Sequence, residues 1–437
     1  MTRDLIEARQ KKRLAELLCL VASQNTFYRA KLPASALRAV EDGTTSLSAV
    51  LNEIPFTKRQ ELEDDQRKHP PFGSRLTYEP ARYSRWHQTS GTDGAPLRWL
   101  DTPESWAWWC DCWTVVYQGM ELSPQDRLFF PFSFGPFVGF WSAFDSAVRL
   151  GNLCVPGGGM TTSARLELLK AADATIVVAT PTYALRILEV AQADGIDLSS
   201  SSVRALIVAG EPGGSIPAVR ERLEQGWGAR VFDHCGMTEV GAFGFESAHQ
   251  SGGLYVNEEA FIVEAVDPKT GSAASSGEMG ELVITNLGRL GSPVIRYLTG
   301  DLVRWNPDNT LAGTGYGCLE GGILSRRDDM VSVRGNNVYP GAMEALMRRL
   351  DGVEEYRVIV AEGDSLTTLE VEVEPRADAP NQAGVAERVA GAIERTFLFR
   401  AQVRIVAPGT LPRFDMKARR FVMKTSAGYG GPSHANV

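Results

Sequence analysis

The sequence predicts an α/β protein: a large N-terminal domain with a parallel βα sheet and an antiparallel subdomain, followed by a small α+β C-terminal domain. Three observations carry this reading. Between 104 and 235, short apolar runs alternate with helical stretches of about three turns, the pattern of βα units and a parallel sheet. From 253 to 306 the helical signal fades, and strand-like runs are separated by turn residues such as Pro268 and Gly271. After 325 the texture changes again, to a compact mixture of helix and strand.

Taken in order, residues 3–22 read as a helix, with Leu5, Ala8, Leu14, Leu17, Leu18 and Val21 near helical spacing, ended by Asn25 to Tyr28. Residues 47–68 are mixed and charged, and 69–73 form a turn around Pro70 and Pro71. This opening region reads as a helical collar on the main domain. Helices are expected over 104–118, 164–172, 183–193 and 216–225, and strands over 127–130, 153–155, 175–179, 205–209 and 230–232. Further strands follow at 255–256, 260–266, 281–285 and 302–305. The C-terminal part reads as a helix over 341–350, a strand over 357–360, and a strand over 368–374 with one apolar and one acidic face. A helix carrying Val385, Val389 and Ile393 and a strand over 402–406 complete it, and the Gly/Ser/Pro-rich tail 425–437 is expected to be disordered.

With 437 residues, 43% of them apolar and 22% charged, the chain is globular and long enough for two or three domains. A net charge of −8 makes nucleic acid a poor partner, so an anionic ligand needs a local cationic site. The six cysteines show no C-x-x-C spacing and no disulfide framework, which suits reduced thiols in the cytoplasm. The charged N-terminus does not resemble a signal peptide. The most apolar run, 128–144, is broken by Pro131, Gly135, Pro136 and Gly139 and is no membrane span.

Chemistry concentrates in a few stretches. Ser90, Gly91, Thr92, Asp93, Gly94, Ala95 and Pro96 form a loop of hydroxyls and glycines whose backbone N–H groups suit a phosphate, although no Lys-Ser/Thr pair follows. Gly210, Glu211 and Pro212, then Asp233, His234, Cys235, Gly236, Met237, Thr238 and Glu239, lie where connections after buried strands are expected, the usual ligand side of a parallel sheet. A further segment runs through Tyr297, Thr299, Gly300 and Asp301. Glu239 offers a hard oxygen to a phosphate-bound Mg²⁺, and Asp301 an acceptor to a ribose diol. Each stretch alone also fits a turn. The basic segment at Arg413, Lys417, Arg419 and Arg420 is either a solvated face or a lysine brought to an anion. The aromatic band from Phe129 to Trp141 is either core or the irregular wall of a flat pocket.

In this order the stretches resemble the adenylate-forming (acyl-CoA synthetase) superfamily, most closely its phenylacetate–CoA ligase-like branch, among aryl-acid CoA ligases. The resemblance runs nearly end to end, from Asn25–Leu32 and Ile54–Lys58, through the glycine-rich loop, Thr180–Leu185, Gly210–Pro212, Cys235–Glu239 and Arg296–Asp301, to Arg326–Pro340 and Gly409–Lys417. It implies residues 1–325 as an adenylating domain, 326–329 as a hinge with Asp328 as pivot, and 330–424 as a small mobile domain. It implies ATP and Mg²⁺, with coenzyme A as co-substrate. Lys417, Thr238 and Glu239 are the implied catalytic residues, with Glu239 holding the Mg²⁺. The nucleotide is expected at Ser90, Gly91, Thr92, Asp93, Gly94, Gly210, Glu211, Pro212, Asp233, His234, Cys235, Gly236, Met237, Thr238, Asp301 and Arg326. Ala95 stands where the family's loop usually has Lys, so the β/γ-phosphates are expected to be held more weakly or by another cation. Cys235 replaces a usual Tyr. Only Cys318 remains of a Cys-x-Cys element before the hinge, so no structural zinc is expected.

The resemblance places the acid pocket at Phe134, Gly135, Phe137, Phe140, Gly210, His234, Gly236 and Met237. Their character suggests a small aromatic acid of the benzoate, anthranilate or phenylacetate type. A phosphopantetheine on an acyl carrier protein is the alternative acceptor, and a non-catalytic nucleotide-binding regulator is the alternative class. A homodimer is compatible with the sequence.

Overall fold

A computed structural model describes residues 2–41, 45–89, 96–250, 252–327, 329–333, 336–362, 367–376, 382–414, 418–425 and 428–430. The chain opens with α1 (Arg3–Gln24), α2 (Thr26–Lys31), α3 (Ala34–Glu41), α4 (Leu47–Asn52) and α5 (Arg59–Lys68). In α1, Ile6, Gln10, Leu14, Leu17, Leu18 and Val21 form the buried stripe. Asn25 closes α1 with its N–H on the Val21 carbonyl, and its side chain then caps α2 by accepting from Tyr28 N–H. The stretch expected only to end a helix therefore also starts one. The stretch 47–68 is two helices rather than an unpatterned segment. Its second helix is supported by charge: Glu61 accepts from the Lys58 N–H at 2.7 Å, and Arg59 pairs with Glu63 one turn on. Leu62 is the one buried aliphatic side chain of α5, so no apolar period was visible. Leu14, Leu17 and Val50 pack on Ile262, Leu287 and Ile295, so the collar clamps the antiparallel part of the sheet.

Next come β1 (Arg85–Gln88) and β2 (Arg98–Asp101), an antiparallel hairpin. Then follow α6 (Pro103–Gly119), β3 (Arg127–Phe130), α7 (Trp141–Arg149), β4 (Leu153–Pro156), α8 (Thr162–Ala171), β5 (Ile176–Ala179), α9 (Pro181–Ala193), β6 (Ala205–Ala209), α10 (Pro217–Trp227) and β7 (Arg230–Met237). The remaining strands of this region are β8 (Gly241–Phe245), β9 (Gly253–Val256), β10 (Phe261–Val266), β11 (Met279–Asn286), β12 (Tyr297–Asn306), β13 (Cys318–Glu320) and β14 (Ser325–Arg326). They build one twelve-stranded sheet in the order β10-β11-β12-β13-β9-β8-β7-β6-β5-β3-β4, with β14 on β12. Strands β4, β3, β5, β6 and β7 are parallel, and β7 onward is antiparallel. The antiparallel part is thus continuous with the parallel sheet.

The inner parallel strands β3, β5 and β6 are buried on both faces, whereas the edge strand β4 is not. Ala205, Ile207 and Ala209 of β6 face α6, while Leu206 and Val208 face α8, α9 and α10. Each Ile, Leu or Val so enclosed contributes about 1.5–3 kcal/mol. Strand β7 is longer than expected. Its polar end, Asp233 to Met237, lies in the strand rather than in the connection after it, because β8 folds back and pairs with His234 through Met237.

After a two-stranded pair of β15 (Val331–Val333) and β16 (Asn336–Val338), the chain forms α11 (Pro340–Arg348), β17 (Val353–Glu362), β18 (Thr367–Pro375), α12 (Gln382–Phe397), β19 (Gln402–Ile405), β20 (Phe421–Thr425) and β21 (Gly428–Gly430). Their sheet runs β19-β18-β17-β20-β21, and Leu369, Val371 and Val373 pack with Val385, Val389 and Ile393 of α12. The acidic face of β18 is not left to solvent: Glu372 and Glu374 are 2% and 1% exposed, covered by Arg357, Arg404 and Arg413. Within the tail expected to be disordered, Thr425 and Gly428–Gly430 form an antiparallel ribbon, backbone pairing that needs no apolar pattern. Residues 426–427 and 431–437 lie outside the described residues.

Candidate active site

Among the described residues singled out by sequence, Gly210–Pro212 and Asp233–Glu239 lie at the carboxyl ends of β6 and β7. Ser90, Gly91, Thr92, Asp93, Gly94 and Ala95 lie outside the described residues, but both ends of their loop are placed. Thr89 N–H donates to the Leu97 carbonyl at 3.0 Å, and Leu97 N–H donates to Thr89 Oγ1 at 3.1 Å. Thr89 and Leu97 thus continue the pairing of the β1–β2 hairpin.

Arg59 ties that hairpin to the end of β7. Its guanidinium lies 3.4 Å from Thr89 Oγ1 and 3.3 Å from the buried carboxylate of Glu239. Arg289 donates to the carbonyls of Thr238 and Glu239 at 2.7 and 3.1 Å, and makes two 2.7 Å bonds to Asp101 of β2. Thr238, half-buried, and Glu239 are thereby held in the turn after the strand. The fully buried Tyr297 hydroxyl stands beside them, pushed well above its ordinary range by burial and then by Glu239. Across β12 and β14, Asp301 and Arg326 are register partners, 3.6 Å apart as an ion pair.

The residues of β7 separate by face. Asp233 points to the loop before α10: Ser215 Oγ donates to its carboxylate, and a Cβ on Gly214 would come within 2.5 Å of it. Burial pushes the Asp233 carboxyl up to about 7. Burial, then Asp233 and Asp301, push the Cys235 thiol far up. His234 points the other way, its ring 4.3 Å from that of Trp113 in α6 and its Nδ1 2.7 Å from the Gly244 carbonyl. Burial lowers its pKa to about 4, so the ring is neutral, and the Gly244 carbonyl requires the proton on Nδ1. A Cβ on Gly236 would stand 3.3 Å from the His234 Nε2. Met237 is half-buried at the strand end.

The aromatic band divides between the two uses considered for it. Phe129 and Phe130 are fully buried core of β3. Phe132, Phe134 and Phe140 form an edge-on cluster leading into α7, which the Pro/Gly-broken pattern did not announce. Phe140 meets Trp113 at 6.5 Å and thereby joins the His234 group. Gly135 accepts from Trp141 Nε1, and Phe137 is half-buried. Gly210 is exposed with φ +94°, a conformation that favours glycine, and Pro212 is exposed beside it. Both oxygens of Glu211 are taken by backbone donors, Thr182 N–H and Ala418 N–H, each at 2.8 Å.

Lys417 and Asp328 lie outside the described residues. Their neighbours are placed: Ala418 by Glu211, and Arg327 by its N–H on the Gly300 carbonyl at 2.7 Å. Sequence reading missed Arg59, Trp113 and Arg289. Arg59 sat in a stretch read as mixed and charged, Trp113 in a stretch read only as a helix, and Arg289 outside the motifs. Among the described residues, no cluster of three or more His, Cys, Asp or Glu forms a metal-binding group. Glu239 supplies a single carboxylate, which suits Mg²⁺ carried in with phosphates rather than a dedicated protein cage. Among the described residues no helix is long and apolar enough to cross a membrane.

Residues 13–288 match the model of the AMP-binding enzyme family, and 335–424 match the AMP-binding enzyme C-terminal domain. The chain is 30% identical over 393 residues to a phenylacetate-coenzyme A ligase of Aromatoleum evansii, covering 86% of this chain and 85% of that one. It is 27% identical over 440 residues to the phenylacetate-coenzyme A ligase of Thermus thermophilus, covering 95% of each. Among solved structures, 2-hydroxyisobutyryl-CoA ligase in the postadenylation state with R3-HIB-AMP superposes with a TM-score of 0.90 at 27% identity, over 98% of this chain and 91% of that one. The same ligase in the thioesterification state superposes at 0.72. The chain belongs to the AMP-binding enzyme family and is an AMP-forming acid–thiol ligase.

Proposed function

We propose that the protein activates a small aromatic carboxylic acid with ATP and transfers the acyl group to coenzyme A. The observation that carries the choice of acid is a chain of flat rings, Phe132 to Phe140 to Trp113, that ends on the neutral imidazole of His234 beside the strand end. In the first step a carboxylate oxygen attacks the α-phosphorus, the α–β phosphoanhydride bond breaks, and pyrophosphate leaves. In the second the CoA sulfur attacks the acyl carbon, the acyl–oxygen bond to AMP breaks, and the thiol proton goes to solvent. Catalysis is positioning plus charge stabilisation.

On this reading Lys417 bridges the carboxylate and α-phosphate, and Thr238 touches the α-phosphate. Glu239 holds a Mg²⁺ whose charge offsets that of the phosphates. Asp301 and Arg326 take the ribose, and the loop 90–95 takes the phosphates. Arg59, at the base of that loop, supplies the cation that Ala95 does not. Residues 326–329 act as the hinge between a domain of residues 1–325 and one of 330–424. The ligases of similar sequence carry coenzyme A in their names, which favours CoA over a carrier protein as acceptor.

The test is acid-dependent pyrophosphate release from ATP with benzoate, anthranilate, phenylacetate, 2-hydroxyisobutyrate and longer aliphatic acids, with and without CoA. The expected result is fastest release with one aryl acid and consumption of CoA. Faster turnover of the aliphatic acids would sink the aromatic reading. Acylation of a holo carrier protein in place of CoA would sink the choice of acceptor.

A further inference from the structure

We infer that Glu211 is a positioning residue for acyl-adenylate formation, latching the lysine-bearing segment of the C-terminal part onto the parallel sheet. The inference rests on the proposed role of Lys417. Glu211 follows β6, and its half-buried carboxylate is shared between two distant pieces of chain. One oxygen accepts from Thr182 N–H in the first turn of α9, and the other accepts from Ala418 N–H, both at 2.8 Å. The Ala418 nitrogen is the peptide nitrogen that follows Lys417 in the chain, so the contact is made at the residue next to the lysine. Hydrogen bonds from N–H to an ionised carboxylate are the stronger kind, and the α9 terminus keeps the acceptor aimed.

The contacts around it show which half of the interface is special. Arg413 with Glu189 at 3.6 Å and Arg222 with Glu354 at 3.1 Å also join the two parts, but as side-chain ion pairs. Glu211 instead grips main chain. On the far side of Ala418, Arg420 is fixed by Glu355 at 2.7 and 3.0 Å, so the segment is held at one end by the sheet and at the other by its own unit. The whole arrangement superposes at 0.90 on the ligase in its postadenylation state and at 0.72 on the same ligase in its thioesterification state. The Glu211–Ala418 bond belongs to the former arrangement. It serves the first half-reaction and is dispensable in the second.

The substitutions Glu211→Gln and Glu211→Ala separate these roles. A carboxamide has one acceptor oxygen for two N–H donors and turns its own NH₂ toward one of them. Acyl-adenylate formation is followed as pyrophosphate release without CoA, using whichever of benzoate, anthranilate and phenylacetate turns over fastest. Thioester formation is followed separately from the synthetic acyl-adenylate and CoA. For Glu211→Gln the expected result is about a tenfold loss in kcat of adenylation, with KM for ATP and the thioester step unchanged within about twofold. Glu211→Ala should lose more in the same step. Equal loss in both steps would make Glu211 merely structural, a raised KM for ATP at unchanged kcat would make it a nucleotide contact, and unchanged adenylation would remove the latch; each overturns the inference. Lys417→Ala is the control. Adenylation that survives it refutes the lysine's role, whereas its loss alongside an unaffected Glu211→Gln refutes only the latch.

Discussion

Asp101 and Arg289 in the large sheet region, and Glu344, Arg348, Glu355 and Arg420 in the C-terminal unit, are buried or half-buried charges held in different ways. The first is a pair, with the His87 ring nitrogen 3.8 Å from the same carboxylate. Asp101 and Arg289 are both fully buried, and the guanidinium lies over Trp99 and Trp109 at 5.1 and 5.2 Å. Arg289 also donates to the main-chain carbonyls of Thr238 and Glu239. The second is a mesh in which two carboxylates alternate with two guanidiniums: Arg420 meets Glu355 and Glu344, and Arg348 meets both as well. Burial pulls the Glu344 carboxyl up, but Arg348 and Arg420 outweigh it and bring it down to about 2. The pair fixes one turn in one geometry. The mesh keeps a segment cohesive through any single loss, which suits a unit proposed to move as a body.

The largest effect should come from breaking the pair. Asp101→Ala leaves Arg289 buried without a counter-charge and should cost about 3–5 kcal/mol in denaturant unfolding. Activity should fall with it, because Arg289 sets the carbonyls of Thr238 and Glu239. Glu355→Ala should cost less, about 2 kcal/mol, since both arginines retain Glu344. Equal losses for the two variants would break the comparison.

A smaller effect sharpens it by adding a group buried neutral. His234 titrates at about 4 when folded against its ordinary 6.5, so the unfolded chain takes up the proton first as pH falls. Stability present above about pH 6.5 is therefore lost progressively as pH drops toward 4. Between pH 7 and 5.5 the native protein should lose about 1 kcal/mol more than His234→Gln, measured by denaturant titration at each pH.

How much of this was legible in the chain follows from where each signal lies. Strand β6 could be read to its ends, because Ala205 to Ala209 is a continuous apolar run between Arg204 and Gly210. Strand β7 could not, since its last residues, Asp233 to Met237, make no continuous apolar run and become strand only by pairing with β8. Helix α5 was hidden because charge pairs rather than an apolar stripe support it. Glu211 was visible as a motif residue, but its partner Ala418 is 207 positions away and no local pattern encodes that contact. Arg59 and Arg289 escaped for the same reason, as their meaning lies in the distant groups they join.

Strand β7 acts as a partition. Asp233 lies with the loops on one side and His234 with Trp113 on the other, and the strand is hydrogen-bonded to β6 and β8 along both edges. With the nucleotide on the Asp301 side and the acid on the Trp113 side, as proposed, substitutions at alternate positions address different ligands. A lineage can exchange the residue at 234 and meet a new acid while Asp233 and Cys235 keep facing the same nucleotide. A one-residue slip would instead swap the two compartments at once, so acid choice is open to gradual change and strand register is not.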